Sequence, residues 1–288
     1  MTVFQDNIPL PLDIYDLFRK NPSGEVLLST SKGLYLQLSD RIILVTDSQY
    51  GLTPIGIGIP FFVDFMKAVD PREGQPVKVT CDGIAFDGGT LSCQWSTAEP
   101  VNALYSISKD RISQCAELLV RKCNSRSAAL LAEALLLSRN LSAQALENKT
   151  CCRALPLLQK LIEVHSDKSV VACIVNNLLG LGNGLTPSMD DVLLGLLYGL
   201  QRLPCKSSIK ADLSDAILIQ AQTSTNAISA AYLVSVARGA YFERLEDALR
   251  NLSTDEPLNI DPMLEIGSSS GSEMLFGLLL AAQITSER

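Results

Sequence analysis

A chain of 288 residues, 47% of them hydrophobic, has enough apolar side chain to build two modest domains or one large one without covalent staples. Its 31 acidic against 24 basic residues, a formal charge of −7, exclude the electropositive footprint of a nucleic-acid binder. One histidine, His165, and eight cysteines that never fall at C-x-x-C spacing argue against serine–histidine triads, histidine metal cages, zinc sites and disulfides.

No run approaches the roughly 18 apolar residues of a membrane span, and no N-terminal stretch reads as a secretory signal, so a cytoplasmic protein without membrane contact is expected. After an amphipathic opening at Leu12–Phe18, residues 25–60 read as strands: EVLLS, GLYLQLS, RIILVTD and the glycine-alternating IGIGIP. The apolar stretch FFVDFMKAV follows. A second strand set, VKVTC, GIAFD and TLSCQW, is punctuated by Asp82-Gly83 and Asp87-Gly88-Gly89, steps that suit tight hairpins. From about residue 106 the apolar period changes to three-and-four spacing, as in SKDRISQCAELLVRK and SAALLAEALLLSR, which marks helices. The expected fold is therefore α+β: a small antiparallel β domain over residues 1–104, with one or two short helices, followed by a larger α-helical domain over residues 105–288.

Within the helical half, SMDDVLLGLL at 188–197 is echoed by SGSEMLFGLL at 270–279. The copies share Ser188 with Ser270, Leu193 with Leu275, Gly195 with Gly277 and the closing pair of leucines, and Asp191 matches Glu273 as an acid. Serine followed three residues later by an acid, ahead of an apolar run, is capping-box spacing, so each copy marks a helix start. In the first copy Thr186-Pro187 offers a competing cap. Glycine four residues after each acid costs a helix interior about 1 kcal/mol relative to alanine. Close backbone packing of the two helices would offset that cost. Two converging helix starts, preceded by the loose GLGNG and GSSSG, would present main-chain amides to a small anion. Asp190 and Asp191 either complete caps or hold a cation, Mg²⁺ being the candidate beside a phosphate-bearing ligand. The competing expectation is two capped helices without a ligand. Further along, Thr225, Asn226 and Ser229 interrupt an apolar helix, and Arg238 near its end supplies a cation for an anionic substrate or is simply solvated. The glycines match neither a dinucleotide fingerprint nor a P-loop.

Three stretches, GLGNGLTPSMDD with its GLL, ISAAYLVSVARGAYF and GSSSGSEMLFGLLLA, resemble the signature segments of the AllH-like family. One branch of that family supplies a subunit of oxamate carbamoyltransferase in allantoin degradation, and its members tend to be encoded beside proteins resembling the acyl-CoA-synthetase-like FdrA subunit. The family's Gly-Leu-Thr-Pro-Ser-x-Asp-Asp falls on Gly184, Leu185, Thr186, Pro187, Ser188, Asp190 and Asp191. Its Gly-His-[Ser/Thr]-Ser-Gly-x-Asp falls on Gly267, Ser268, Ser269, Ser270, Gly271 and Glu273, with Ser268 where histidine is usual and Glu273 where aspartate is usual. The resemblance implies a subunit of a carbamoyl- or acyl-transferring complex with FdrA-like partners and a small phosphate or carboxylate substrate. On that expectation the amides of Gly182, Gly184 and Gly271 hold substrate oxygens, and Thr186, Ser188, Ser268, Ser269 and Ser270 orient it. Asp190 or Asp191 binds Mg²⁺ or positions a proton, Glu273 completes the second copy, and Arg238 adds positive charge. The missing histidine favours the alternative, a non-catalytic scaffold or ligand-sensing subunit of an FdrA-like complex.

Overall fold

The computed structural model describes residues 2–80, 82–97, 103–123, 127–140, 146–163, 167–205 and 208–286, so His165 and Cys81 lie outside the described residues. The chain divides into two compact units, Met1–Val101 with Ala240–Arg244, and Asn102–Gly239 with Leu245–Arg288.

The first unit holds strands β1 (Thr2–Leu10), β2 (Ser23–Ser29), β3 (Gly33–Leu38), β4 (Arg41–Asp47), β5 (Gly56–Ile59), β6 (Pro76–Thr80), β7 (Gly83–Phe86) and β8 (Gly89–Thr97), with helices α1 (Leu12–Phe18) and α2 (Phe62–Val69). They form one sheet in the order β1-β8-β7-β6-β2-β3-β4-β5, whose end strands β1 and β5 approach each other in a barrel-like curl. The sheet is mixed, which corrects the simple antiparallel expectation: β1 pairs parallel with β8, and β4 parallel with β5. Two physical reasons account for the difference. In β1 the polar Gln5, Asp6 and Asn7 interrupt the alternation where the register with β8 shifts, between Gln5 and Ile8, so no strand signal survives in the sequence. Between β4 and β5, residues 48–55 carry the chain back along β4 until Gly56 stands opposite Leu44. That return is only three residues long, about 10 Å at strand rise, and the link spans it. The core cluster takes alternate residues, Leu34, Leu36 and Leu38 of β3, Ile43 and Val45 of β4, and Val77 and Val79 of β6, while Tyr35, Ile42 and Leu44 bury the other face of β3 and β4 as well. Ile14 and Phe18 from α1 and Phe62, Phe65 and Val69 from α2 cover it at helical spacing.

The second unit is helical: α3 (Lys109–Lys122), α4 (Ser127–Leu135), α5 (Lys149–Glu163), α6 (Lys168–Leu178), α7 (Ser188–Arg202), α8 (Ile209–Ser224), α9 (Ala227–Ala237), α10 (Glu243–Leu252), α11 (Asp261–Leu264) and α12 (Ser270–Ser286). Helix α3 starts where the Ser108 hydroxyl accepts the Arg111 amide, carries Arg121 and Lys122 in its last turn, and buries Ile112, Cys115, Ala116 and Leu119 on one stripe. By contrast α7 and α12 are buried on every side, as expected of helices apolar all round. They make the most extensive helix–helix contact of the unit and form its axis. Among the described residues no helix is long and apolar enough to cross a membrane.

Candidate functional site

The glycines of the echoed segments explain how the axis forms. A Cβ on Gly195 would stand 1.9 Å from the Met274 carbonyl oxygen, and one on Gly277 would stand 2.1 Å from that of Val192. No side chain fits at either place, so α7 and α12 touch backbone to backbone. A Cβ on Gly199, further along, would meet the Ala281 methyl at 2.6 Å. Contacts advance together along both helices, so the two run in the same direction. Their N-termini therefore lie at one end of the unit, where the Thr186 and Ser270 hydroxyls meet at 3.0 Å.

Residues 180–187 fold over the start of α7. Gly180, Gly182 and Gly184 have φ of +73°, +130° and +112°, values that other residues rarely adopt. The Met189 amide donates to the Leu181 carbonyl at 2.9 Å, and Asp190 and Asp191 donate theirs to Pro187. The Asp190 carboxylate accepts from the Gly180 amide at 2.8 Å and from the Thr225 hydroxyl, while the Asn226 side-chain amide donates to the Leu185 carbonyl at 2.9 Å. Because Asn226 also caps α9, by accepting from the Ser229 amide, a third helix start joins the other two. Asp190 thus fastens α7 to the link between α8 and α9, and Asp191 fastens α7 to α12.

At the α7–α12 contact the Thr186 hydroxyl donates to the Asp191 carboxylate at 2.9 Å, and Ser269 donates to Glu273 at 3.2 Å. Asp191 and Glu273 are each 2% exposed. Burial first, and then the charge of Glu273, hold the Asp191 carboxyl well above its ordinary value, against hydroxyl bonds from Ser270 and Thr186. Asp190 is also raised by burial, opposed by its bonds to Thr225 and Gly180. Two like acids in so dry a place cannot both ionise cheaply, so the pair retains a proton where an exposed carboxylate would have lost it.

Several expectations change. The capping box does not form in the first copy: α7 begins at Ser188 itself, after Pro187, and no side chain caps it. Serine therefore sits one position too late, and Asp191 turns sideways to Thr186. In the second copy the residue ahead of the helix is Ser269, whose carbonyl accepts the Glu273 amide at 3.1 Å. The free amides expected at the helix starts are engaged within the chain at Met189, Asp190, Asp191 and Gly271, the last donating to Ile266. Gly271 serves close packing, since a Cβ there would stand 1.7 Å from the Met263 carbonyl oxygen.

Of the residues singled out in the sequence, Thr186, Ser188, Asp190, Asp191, Ser269, Ser270, Gly271 and Glu273 gather at this crown, with Gly182 packed against Ser188. Gly184 and Ser268 are exposed on its flanking loops. Arg238 is not brought to it, standing at the C-terminal end of α9, the far end from Asn226. Thr225 and Asn226 were absent from the expected site, although two polar residues opening an apolar helix were a usable signal. Asp190 and Asp191 engage different partners, and among the described residues no group of three or more His, Cys, Asp or Glu is arranged to hold a metal.

Residues 178–282 match the family described as oxamate carbamoyltransferase subunit AllH. The matched stretch runs from the last residue of α6 into α12 and contains all three helix starts of the crown. No solved structure matches the chain.

Proposed function

With residues 178–282 identified as AllH-like, we propose that the chain is a subunit of a carbamoyl- or acyl-transferring complex related to oxamate carbamoyltransferase, and that its crown takes a small phosphate- or carboxylate-bearing substrate. The observation that carries this reading is the buried Asp191–Glu273 pair, linked to Thr186, Ser269 and Ser270 where α7 and α12 start. A carboxyl held well above its ordinary value by burial and a neighbouring acid can, while protonated, donate a hydrogen bond to an anionic oxygen and pass that proton to a leaving group. In this reading the acid pair takes over the proton handling for which the family's usual histidine is missing at Ser268. The hydroxyls of Thr186 and Ser270 orient the substrate. FdrA-like neighbouring subunits supply the remaining surfaces, in the cytoplasm, within allantoin-type nitrogen catabolism.

The test is reconstitution with the neighbouring subunits, followed by carbamoyl phosphate formation from oxalurate and phosphate. Asp191→Ala is expected to lower turnover at least a hundredfold while the subunits still assemble. Full turnover by that variant, or none from the complete wild-type complex, removes the catalytic reading. One observation favours a second reading, a non-catalytic scaffold: the crown's amides and its Asp190 carboxylate are already engaged within the chain. On that reading Asp191→Asn and Ser270→Ala leave turnover intact and weaken assembly.

A further inference from the structure

The opposite end of the helical unit carries a wide, open pocket of about 370 Å³, lined by Gln201 and Arg202 of α7, Lys210 and Ser214 of α8, and Arg238 after α9. We propose that it is a second binding site, for a small phosphoryl-bearing anion. The strongest ground is Arg202, which is only 8% exposed yet lines the cavity. Its Nε donates to Glu246 at 3.3 Å, and its guanidinium lies 5.0 Å from the Tyr198 ring centroid. Glu246, 0% exposed, also accepts from the hydroxyls of Tyr198 at 2.7 Å and Tyr105 at 2.8 Å. This network fixes the guanidinium in place before any ligand arrives, so binding does not have to order it.

Lys210 and Arg238 are exposed, and neither side chain has an ion-pair partner among the described residues. Arg202 and Arg238 lie at the C-terminal ends of α7 and α9, where a cation offsets the helix dipole without any ligand. Lys210 has no such explanation. It stands in the first turn of α8, where the dipole disfavours a cation, and the preceding Ser208 supplies no side-chain cap. Asp212 of the same turn is 8% exposed and does not line the cavity. An anion seated here would meet the first turn of α8, the unpaired Lys210 and Arg238, and Arg202, whose charge is already shared with Glu246. Two of those are guanidinium forks, and a group with several charged oxygens uses them better than a single carboxylate does. The cavity and the crown lie at opposite ends of α7, whose 15 residues span roughly 20 Å, so the two sites are separate.

Calorimetric titration of the full chain with inorganic phosphate at low ionic strength tests the proposal, with acetate as the singly charged control. Phosphate is expected to bind, Lys210→Gln with Arg238→Gln to weaken it at least tenfold while the ligand-free protein still unfolds cooperatively, and Ser270→Ala to leave it unchanged. Absence of phosphate binding, equal affinity in the double variant, or equal affinity for acetate overturns the assignment. Binding that is lost in Ser270→Ala and kept in the double variant places phosphate at the crown, and also overturns it.

Discussion

Asp191 is buried beside a second buried acid, with two half-buried hydroxyls near its carboxyl, so its protonation is coupled to folding. An acid raised in the fold keeps its proton there after the unfolded chain has lost it, so the folded state binds more protons from the ordinary value of 3.8 up to the raised one. Its contribution to stability is therefore intact below 3.8 and falls as pH climbs through that window, at up to ~1.4 kcal/mol per pH unit for one proton. Asp190, shifted the same way, adds to the slope. Asp191→Asn should flatten the pH dependence of the melting temperature between pH 4 and 8 and raise that temperature at pH 8; an unaltered profile would show that the pair does not share a proton. Thr186 bridges the same contact, donating to Asp191 and meeting Ser270. Thr186→Val should cost about 1–3 kcal/mol in urea unfolding by leaving buried oxygens unpaired, and Thr186→Ser should recover most of it. Equal losses in both variants would mean that the methyl group, not the hydroxyl, matters.

At the scale of elements, the axis depends on two helices that approach without side chains between them. In an exposed helix, glycine to alanine gains about 1 kcal/mol. Gly195→Ala and Gly277→Ala should reverse that sign and destabilise by about 1–3 kcal/mol or more, because the added methyl meets a carbonyl oxygen and not a movable side-chain tip. Denaturant unfolding of each variant decides the matter, and a stabilised variant would contradict the packing. This contact was legible in the sequence, because a costly glycine repeated at the same place in two apolar segments signals close approach. The cap geometry was less legible. A serine and an acid at box spacing give the neighbourhood of a helix start, but they do not say whether the serine stands before the first turn or in it. Nor does an apolar period reveal which distant hydroxyl a buried acid will take, and so the links from Asp190 to Thr225 and from Thr186 to Ser270 are tertiary facts. In the β unit the hairpin strands carried their alternation openly. The parallel pairs did not, since β1 has its polar break and the β4–β5 return leaves no local mark.

At the scale of the whole molecule, the first unit is assembled from two pieces of chain that lie far apart in sequence, Met1–Val101 and Ala240–Arg244. The short piece is fastened by reciprocal bonds: the Glu243 amide donates to the Leu52 carbonyl at 2.9 Å, and the Leu52 amide donates to the Glu243 carboxylate at 2.8 Å. Arg244 adds bonds to the carbonyls of Gln49 and Tyr50. A strand-rich unit closed by residues that follow most of the helices gains those contacts only after the intervening chain has been made, so part of its stability depends on long-range closure. Glu243→Ala removes the acceptor for the Leu52 amide and should destabilise the unit by about 1–2 kcal/mol, whereas Glu243→Gln, which keeps an acceptor oxygen, should lose less. The sole tryptophan reads this directly: Trp95 sits in β8, edge-on to Phe18 at 4.9 Å, with its indole donating to the Thr80 carbonyl. Its fluorescence during urea unfolding should move to lower urea in Glu243→Ala and stay near the wild-type midpoint in Glu243→Gln. If the Trp95 transition is the same in both variants as in the wild type, the five-residue return only lies against the sheet unit and does not hold it closed.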